Sequence, residues 1–213
     1  MMLSFVGGYV DTLGFIALFG LFTAHITGNF VLIGSMLVHP ASGVLLKFVV
    51  FPSFMLSVAI TRIVILYFDK RDRSPLKLLY GMEMVLLTSF MVVGLMGRPM
   101  LSDTGTAAIL AGISAAFAMG MQNAISSSTL LTPTVSTTVM TGNVTTLIIG
   151  LVDIFNSKNQ ALKDQARGRV RELYPAVMLF FIGAICAGLG FQYLSFWALC
   201  LPIAILAWLA IDS

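Results

Sequence analysis

Long apolar runs separated by short polar breaks fill almost the whole chain. The runs cover positions 3–22, 30–38, 44–68, 76–96, 106–126, 137–155, 173–191 and 194–211. Because a bilayer crossing takes about 20 mostly apolar residues, the pattern predicts an all-α polytopic membrane protein with about six to seven transmembrane helices. Two runs are unusual. The run 30–38 is too short to cross alone, and both it and the run 137–155 follow a polar break that contains Gly or Pro.

Composition supports one integral membrane domain over residues 1–213. Apolar residues make up 58% of the chain and charged residues 10%, with a mean hydropathy of +0.98, whereas soluble domains carry about 25% charged residues. The basic residues lie at the ends of apolar runs rather than on one amphipathic face, so we expect no nucleic-acid partner. The expected partner is the lipid bilayer, and a homo-oligomer is left open.

Basic residues cluster beside two of the breaks, which predicts the orientation in the membrane. Lys and Arg near span ends are retained in the cytoplasm, so loops 69–77 and 156–172 and the C-terminus are predicted to face the cytoplasm, with the protein in the inner membrane. The segment 106–155 must then make an odd number of crossings. The simplest interpretation is one span plus a broken or re-entrant piece. The ten clustered residues are Arg62, Lys70, Arg71, Arg73, Lys77, Lys158, Lys163, Arg167, Arg169 and Arg171.

A short motif occurs twice and indicates an internal repeat. Each copy is followed by an apolar run and preceded by a helix with a polar residue three positions after a Gly. Each half then holds one broken unit plus two spans, an odd number of crossings. The halves 1–100 and 104–213 are therefore predicted to form an inverted repeat, as in many secondary transporters, with a cytoplasmic N-terminus. The copies are Thr27-Gly28-Asn29 and Thr141-Gly142-Asn143, and the upstream pairs are Gly8 with Asp11 and Gly120 with Asn123.

The two breaks predict a solute site. A helix that starts at Thr27 or Thr141 would have a hydroxyl as its N-cap and free N–H groups that carry about half a positive charge, which suits an anion or a polar solute. Positions 22–26 and 129–135 would supply the non-helical backbone. The predicted solute-binding residues are Thr27, Gly28, Asn29, Gln122, Asn123, Thr141, Gly142 and Asn143. For Gln122 and Asn123, a plain interhelical hydrogen-bonding role is left open.

Asp11 and His25 are the predicted ion- or proton-coupling residues. A carboxylate deep in a span costs about 2.5 to 3.5 kcal/mol on insertion scales. Asp11 shares a helix face with Gly7 and Gly14, which would turn it toward a close-packed neighbour. Two other interpretations stay open for Asp11, namely a solvated position near the interface and structural hydrogen bonding. His25 is either a proton relay or only hydrogen-bonded, and Glu83 is expected to make an interfacial or interhelical polar contact.

The chain carries no enzyme signature. P-loop, GxSxG, HExxH and metal-spaced Cys/His patterns are absent from the sequence, so we expect no catalytic residue, no metal site and no cofactor. The predicted function is a small secondary transporter or permease for a small polar or anionic solute, with coupling to protons or cations left open. A non-transporting scaffold or sensor subunit is the alternative, and an intramembrane enzyme is a weaker one.

The stretch GYVDTLGFIALFGLFTAHITGN, with its later counterparts GMQNA and TVMTGN, resembles the bacterial DUF1275 family, also called the YoaK-like membrane proteins. The resemblance extends over essentially the full chain. It implies a small multi-spanning inner-membrane protein of transporter-like character. It implies no substrate and assigns no functional residues.

Overall fold

The computed structural model describes residues 1–39, 41–97, 105–128, 130, 137 and 139–213. This part of the chain is built from helices, which confirms the predicted all-α class. A short 3₁₀ turn, Ser195–Leu199, separates the last two. The helices are α1 (Met2–Ala17), α2 (Ile26–Met36), α3 (Val44–Asp69), α4 (Leu76–Met96), α5 (Thr106–Ser126), α6 (Met140–Asn156), α7 (Gln160–Leu194) and α8 (Cys200–Asp212).

Length and surface chemistry identify a membrane protein. Helices α3, α4 and α5 and the stretch Gln160–Asp212, which contains α7 and α8, are long and apolar enough to cross a bilayer. Helices α1, α2 and α6 are apolar but shorter. Large apolar side chains on the outer faces are exposed, for example Val31 at 73% and Ile149 at 56%. A surface of this kind requires lipid around it.

The first predicted run, 3–22, is not one helix. Helix α1 ends at Ala17, and Phe19 and Gly20 then adopt positive φ values of 54° and 68°. Such left-handed residues cannot continue a right-handed helix, so the chain turns. The non-helical piece therefore begins four residues earlier than the predicted segment 22–26.

The predicted basic loop 156–172 is also mostly helical. Helix α7 begins at Gln160, where the side chain of Asn159 accepts a hydrogen bond from the N–H of Ala161 at 3.0 Å. The residues that follow are mainly good helix formers, and the polar end of α7 extends the helix beyond its apolar part. The basic residues of this segment predict on which side of the membrane it lies, but they do not predict whether it is a loop or a helix.

Two close helix crossings lie at the centre of the fold. Helix α1 crosses α7 where Gly8 lies against the backbone of Phe180 and Gly183 lies against the backbone of Phe5. A Cβ atom at either glycine would collide with the facing carbonyl group. Glycine is therefore required for this approach of the two backbones.

The second crossing, of α5 and α3, corresponds to the first. Gly120 lies against the backbone of Phe54, and the hydroxyl of Ser57 donates a hydrogen bond to the carbonyl of Phe117. The same number of positions separates Phe5 from Phe117 and Gly8 from Gly120, so the contact residues of α1 and α5 correspond. The contact residues of α3 and α7 correspond in the same way, since one number of positions separates Phe54 from Phe180 and Ser57 from Gly183. Helix α1 thus packs on α7 and helix α5 packs on α3, which pairs the first helix of each predicted half with the third helix of the other.

The first helices of the two halves run in opposite directions. Gln122, near the end of α5, donates from Nε2 to the carbonyl of Leu3 at the start of α1, at 2.9 Å. Leu21, just beyond the end of α1, lies against Gly112 in the first part of α5. An inverted repeat requires this antiparallel arrangement. The division into repeats 1–100 and 104–213 stays a prediction, since its boundary lies outside the described residues.

Candidate functional site

After α1 the chain doubles back toward the middle of that helix. The side chain of Thr23 lies against Gly14, and the N–H of Ala24 donates to Oδ1 of Asp11 at 2.6 Å. Helix α2 then starts and leads outward again, where Phe30 contacts the ring of Phe51 in α3 with centroids 5.0 Å apart. The first half therefore contains a re-entrant piece, made of extended chain followed by a short helix.

Asp11 holds the unwound chain in place. Its side chain accepts hydrogen bonds from the N–H of Ala24 at 2.6 Å and from the hydroxyl of Thr23 at 3.4 Å, and it pairs with Nδ1 of His25 at 2.7 Å. Unpaired backbone N–H groups at membrane depth would each cost several kcal/mol. Asp11 is 4% exposed, so the predicted orientation toward a close-packed neighbour is confirmed, and a solvated position near the interface is wrong.

Asn29 holds the unwound chain at a second point, the backbone of Phe22. Its Oδ1 accepts the N–H of Phe22 at 2.9 Å and its Nδ2 donates to the carbonyl of Phe22 at 2.7 Å. Both backbone groups of an unwound residue are satisfied by one side chain, as buried polar backbone requires. The Asn of the first motif copy is thus a buried structural residue, 2% exposed.

The predicted second half has a polar cluster at the end of α5. Gln122 donates from Nε2 to Oγ1 of Thr137 at 3.0 Å, and Thr137 donates to Oγ of Ser126 at 3.2 Å. Helix α6 starts shortly after this cluster, at Met140. The non-helical segment predicted at 129–135 lies almost wholly outside the described residues.

Both motif helices begin one residue before the threonine, so the predicted N-cap role of Thr27 and Thr141 is wrong. His25 and Val139 occupy the N-cap positions, and neither caps its helix with a side-chain hydrogen bond. The start of α2 is set by Asp11, which holds the chain through its contacts with Ala24 and His25. The carbonyl of His25 then already accepts the first helical hydrogen bonds.

A cavity of about 310 Å³ lies between the starts of α2 and α6. Small-molecule sites in proteins typically measure about 300 to 1,000 Å³, so the cavity suits a small solute. Both motif copies contribute to its wall. It is lined by Ala24, His25, Ile26, Thr27, Phe54, Asn123, Val139, Met140 and Thr141.

The structure brings four of the predicted site residues to this cavity and leaves the others outside its wall. His25, Thr27, Asn123 and Thr141 line it. Asp11 stands behind His25 as its hydrogen-bond partner. The predicted residues that do not line it are Gly28, Asn29, Gln122, Gly142 and Asn143.

The cavity wall favours a polar or negatively charged occupant. The first N–H groups of any helix have no intrahelical partner, and each helix start carries about half a positive charge. Two such starts, those of α2 and α6, meet here, and none of the lining residues that the structure describes is acidic. Because Nδ1 of His25 is engaged by Asp11, Nε2 is the ring nitrogen left to contact a solute.

Sequence reasoning missed the apolar part of the wall. Phe54 comes from α3, far from either motif, and Ile26, Val139 and Met140 come from the helix starts. An apolar residue inside an apolar span gives no local signal. The packing of α3 on α5 at Gly120, which brings Phe54 to the cavity, is a contact between distant parts of the chain.

Comparison with known proteins agrees with the motif analysis. The chain matches the family described as "Protein of unknown function (DUF1275)" over residues 1–211. No curated protein and no solved structure matches it. The family match covers both motif copies and nearly every residue of the fold described above. The chain therefore belongs to the DUF1275 family.

Proposed function

We propose that this protein is a small secondary transporter, or permease-like protein, of the inner membrane that binds a small polar or anionic solute between the starts of α2 and α6. The observation that carries the proposal is the cavity, because it is lined from both motif copies. Interrupted helices whose N-termini point at a central site are a recurring feature of secondary transporters.

The directions of the helices support an inverted repeat. Helices α1 and α5 are antiparallel, as shown by the contacts of Leu3 and Leu21 with α5. Helix α3 runs parallel to α5, since Leu46 contacts Gly112 whereas Ser57 contacts Gly120. With the basic ends of α3 and α7 in the cytoplasm, α1 leads outward and α5 leads inward.

The cavity lies between two tightly packed helix pairs. His25 belongs with the α1–α7 pair, since it bonds to Asp11 and its ring lies 5.7 Å from that of Phe180. Phe54 and Asn123 belong to the α3–α5 pair. A rocking motion of one pair against the other would open the cavity to either side without breaking the two glycine crossings. Alternating access in repeat transporters commonly uses such rigid-body motion.

Each polar wall residue has a role in this proposal. The hydroxyls of Thr27 and Thr141 and the amide of Asn123 hydrogen-bond the solute, while the helix starts attract its negative end. His25 accepts or releases a proton while paired with Asp11, which would couple solute binding to proton movement. In the second half the position that corresponds to Asp11 is the neutral Asn123, so the two halves contribute unequally.

The direct test is a thermal-shift panel on the purified full chain in lipid nanodiscs, with small inorganic anions, carboxylates, amino acids and sugars as probes. Specific binding stabilises the folded state by RT ln(1 + [L]/Kd), about 2.7 kcal/mol at 100 times Kd. We expect at least one probe to raise the melting temperature of the wild type and not that of Asn123→Leu. Asn156→Leu makes the same chemical change at an exposed position, so it should respond like the wild type.

One observation favours the non-transporting scaffold as a second candidate. Asp11, Asn29 and Gln122 all use their side chains to hold backbone groups or neighbouring side chains, which is also what a purely structural repeat would need. The panel separates the two functions, since a scaffold predicts no stabilisation by any probe.

A further inference from the structure

Helix α4 carries a buried acid that plays no part in the cavity. Glu83 is 0% exposed, and neither carboxyl oxygen has a hydrogen-bond partner among the described residues. Asp11, by contrast, is paired through both of its oxygens. The polar contact predicted for Glu83 from the sequence is therefore not found in the described structure.

Within the described part of the chain, no cation comes from the elements that pack most closely on α4. These elements are α5, α8 and the 3₁₀ turn before α8. Helix α5 contains no Asp, Glu, His, Lys or Arg, and neither does the 3₁₀ turn. The titratable residues of α8 are Cys200 at its start and Asp212 at its end. On α4 itself the neighbours are Tyr80, one turn earlier and 3% exposed, and Lys77, which lines an outer groove beside Phe117.

An ionised carboxylate in this position would be severely unfavourable. Removing one charge from water into a protein interior costs several kcal/mol after relaxation, and only a partner charge or hydrogen bonds can offset that cost. Neither is supplied by the described residues around Glu83. We infer that Glu83 is protonated at neutral pH and is, beside His25, a second group at which this protein binds and releases a proton.

The position of Glu83 connects it with the cavity. Helices α4 and α5 are antiparallel: Ser89 and Ser114 are hydrogen-bonded at 3.2 Å, while Met82 shares a groove with Phe117. Counting along both helices from the serine pair places Glu83 opposite Gly120, where α5 crosses α3. Helix α5 also carries Asn123 into the cavity wall, so α5 lies between Glu83 and the solute site.

Release of the proton requires that water reach Glu83. The O–H bond breaks, the proton passes to water, and the carboxylate keeps the electron pair and becomes hydrated. This is possible only when α4 and α5 separate, and closure favours the neutral acid again. The coupling of this step to solute binding rests on the proposed function, whereas the protonated state itself does not.

The first test is infrared spectroscopy of the full chain in lipid at neutral pH. A neutral carboxylic acid has a carbonyl stretch distinct from that of a carboxylate. We expect this band in the wild type and in Asp11→Asn, and its loss in Glu83→Gln, which is close in shape to the neutral acid. Absence of the band from the wild type, or its survival in Glu83→Gln, would overturn the assignment.

Labelling of the wild type keeps the assignment testable if Glu83→Gln does not fold. Dicyclohexylcarbodiimide reacts with protonated carboxyl groups in apolar surroundings, and peptide mass spectrometry locates the adduct. We expect the adduct on Glu83. Its absence from Glu83, or its presence only on Asp11, would contradict the inference.

The coupling between solute binding and the proton at Glu83 is measured by the shift in melting temperature that a solute causes. In the wild type this shift should vary with pH, and in Glu83→Gln it should still be present but vary less with pH, because only the proton step at His25 remains. Equal pH dependence in both proteins would overturn the coupling while leaving solute binding intact. No shift in either protein would refute the proposed function but leave the infrared result standing.

Discussion

Replacement of Asp11 by Ala should destabilise the fold far more than a comparable change at its counterpart in the second half. The carboxylate makes two short interactions, with the N–H of Ala24 at 2.6 Å and with Nδ1 of His25 at 2.7 Å. Hydrogen bonds to charged groups contribute about 1.5 to 3 kcal/mol each. Because Asp11 is 4% exposed, solvent screening is small, and Asp11→Ala should lose about 3 to 6 kcal/mol of unfolding free energy.

Two further variants sharpen this prediction. Asp11→Asn keeps an acceptor for the N–H of Ala24 but loses the charge, so it should cost about half as much. Asn123→Ala should cost less than about 1 kcal/mol, because Asn123 lines the cavity and loosely packed positions tolerate truncation. Its side chain is not among those that hold unwound backbone in the described residues.

The assay is reversible unfolding of the full chain in mixed micelles, followed by circular dichroism and tryptophan fluorescence. A double-mutant cycle with His25→Ala isolates the pair, and a coupling of about 1.5 to 3 kcal/mol is expected from one charge-assisted hydrogen bond. If Asp11→Ala and Asn123→Ala cost the same, or if the cycle shows no coupling, Asp11 is not the tether of the re-entrant chain.

Three other changes test separate parts of the fold. Asn29→Ala removes two hydrogen bonds to the unwound backbone and should lower the unfolding free energy by about 1 to 3 kcal/mol in the same assay. A neutral effect would show that these two hydrogen bonds do not stabilise the fold. Gly8→Ala places a Cβ against the backbone of α7 and should lower the unfolding free energy by about 1 to 3 kcal/mol. Gly188→Ala, a change at a position with open space around it, should be neutral or stabilising, and equal effects of the two changes would argue against the close crossing. Reporter fusions after Lys77 and after Lys163 should both report the cytoplasm, and a periplasmic signal at either site would disprove the assigned orientation.

The sequence predicts the apolar helices and the existence of the breaks well, because both follow from local chemistry. Hydropathy locates α3, α4 and α5 almost to the residue. Spacing on α1 places Asp11 on the same face as Gly14, and the structure confirms that this face is covered by Thr23. These features depend on residues that are close in sequence.

Features that depend on distant contacts could not be predicted. The sequence predicts that the motif threonines cap α2 and α6, but the helix starts depend on where Asp11 and other side chains hold the chain. The sequence predicts that Asn29 and Gln122 contact the solute, yet their amides satisfy backbone groups. An amide in a motif looks the same in the sequence in either role. The contribution of Phe54 appears only after α3 has packed on α5.

The central claim is that water and solute reach the paired helix starts in the middle of the membrane, and thiol accessibility tests it most directly. Cys186 and Cys200 are first replaced by Ser, and Thr27→Cys, Thr141→Cys and Val31→Cys are introduced singly. A thiol reacts as its thiolate, which forms in water and not in lipid. The account predicts that a hydrophilic, charged maleimide labels Cys at positions 27 and 141 in native membranes, whereas Val31→Cys, on the 73% exposed outer face of α2, stays unlabelled. Failure of both cavity positions to react, with the proteins folded, would contradict it.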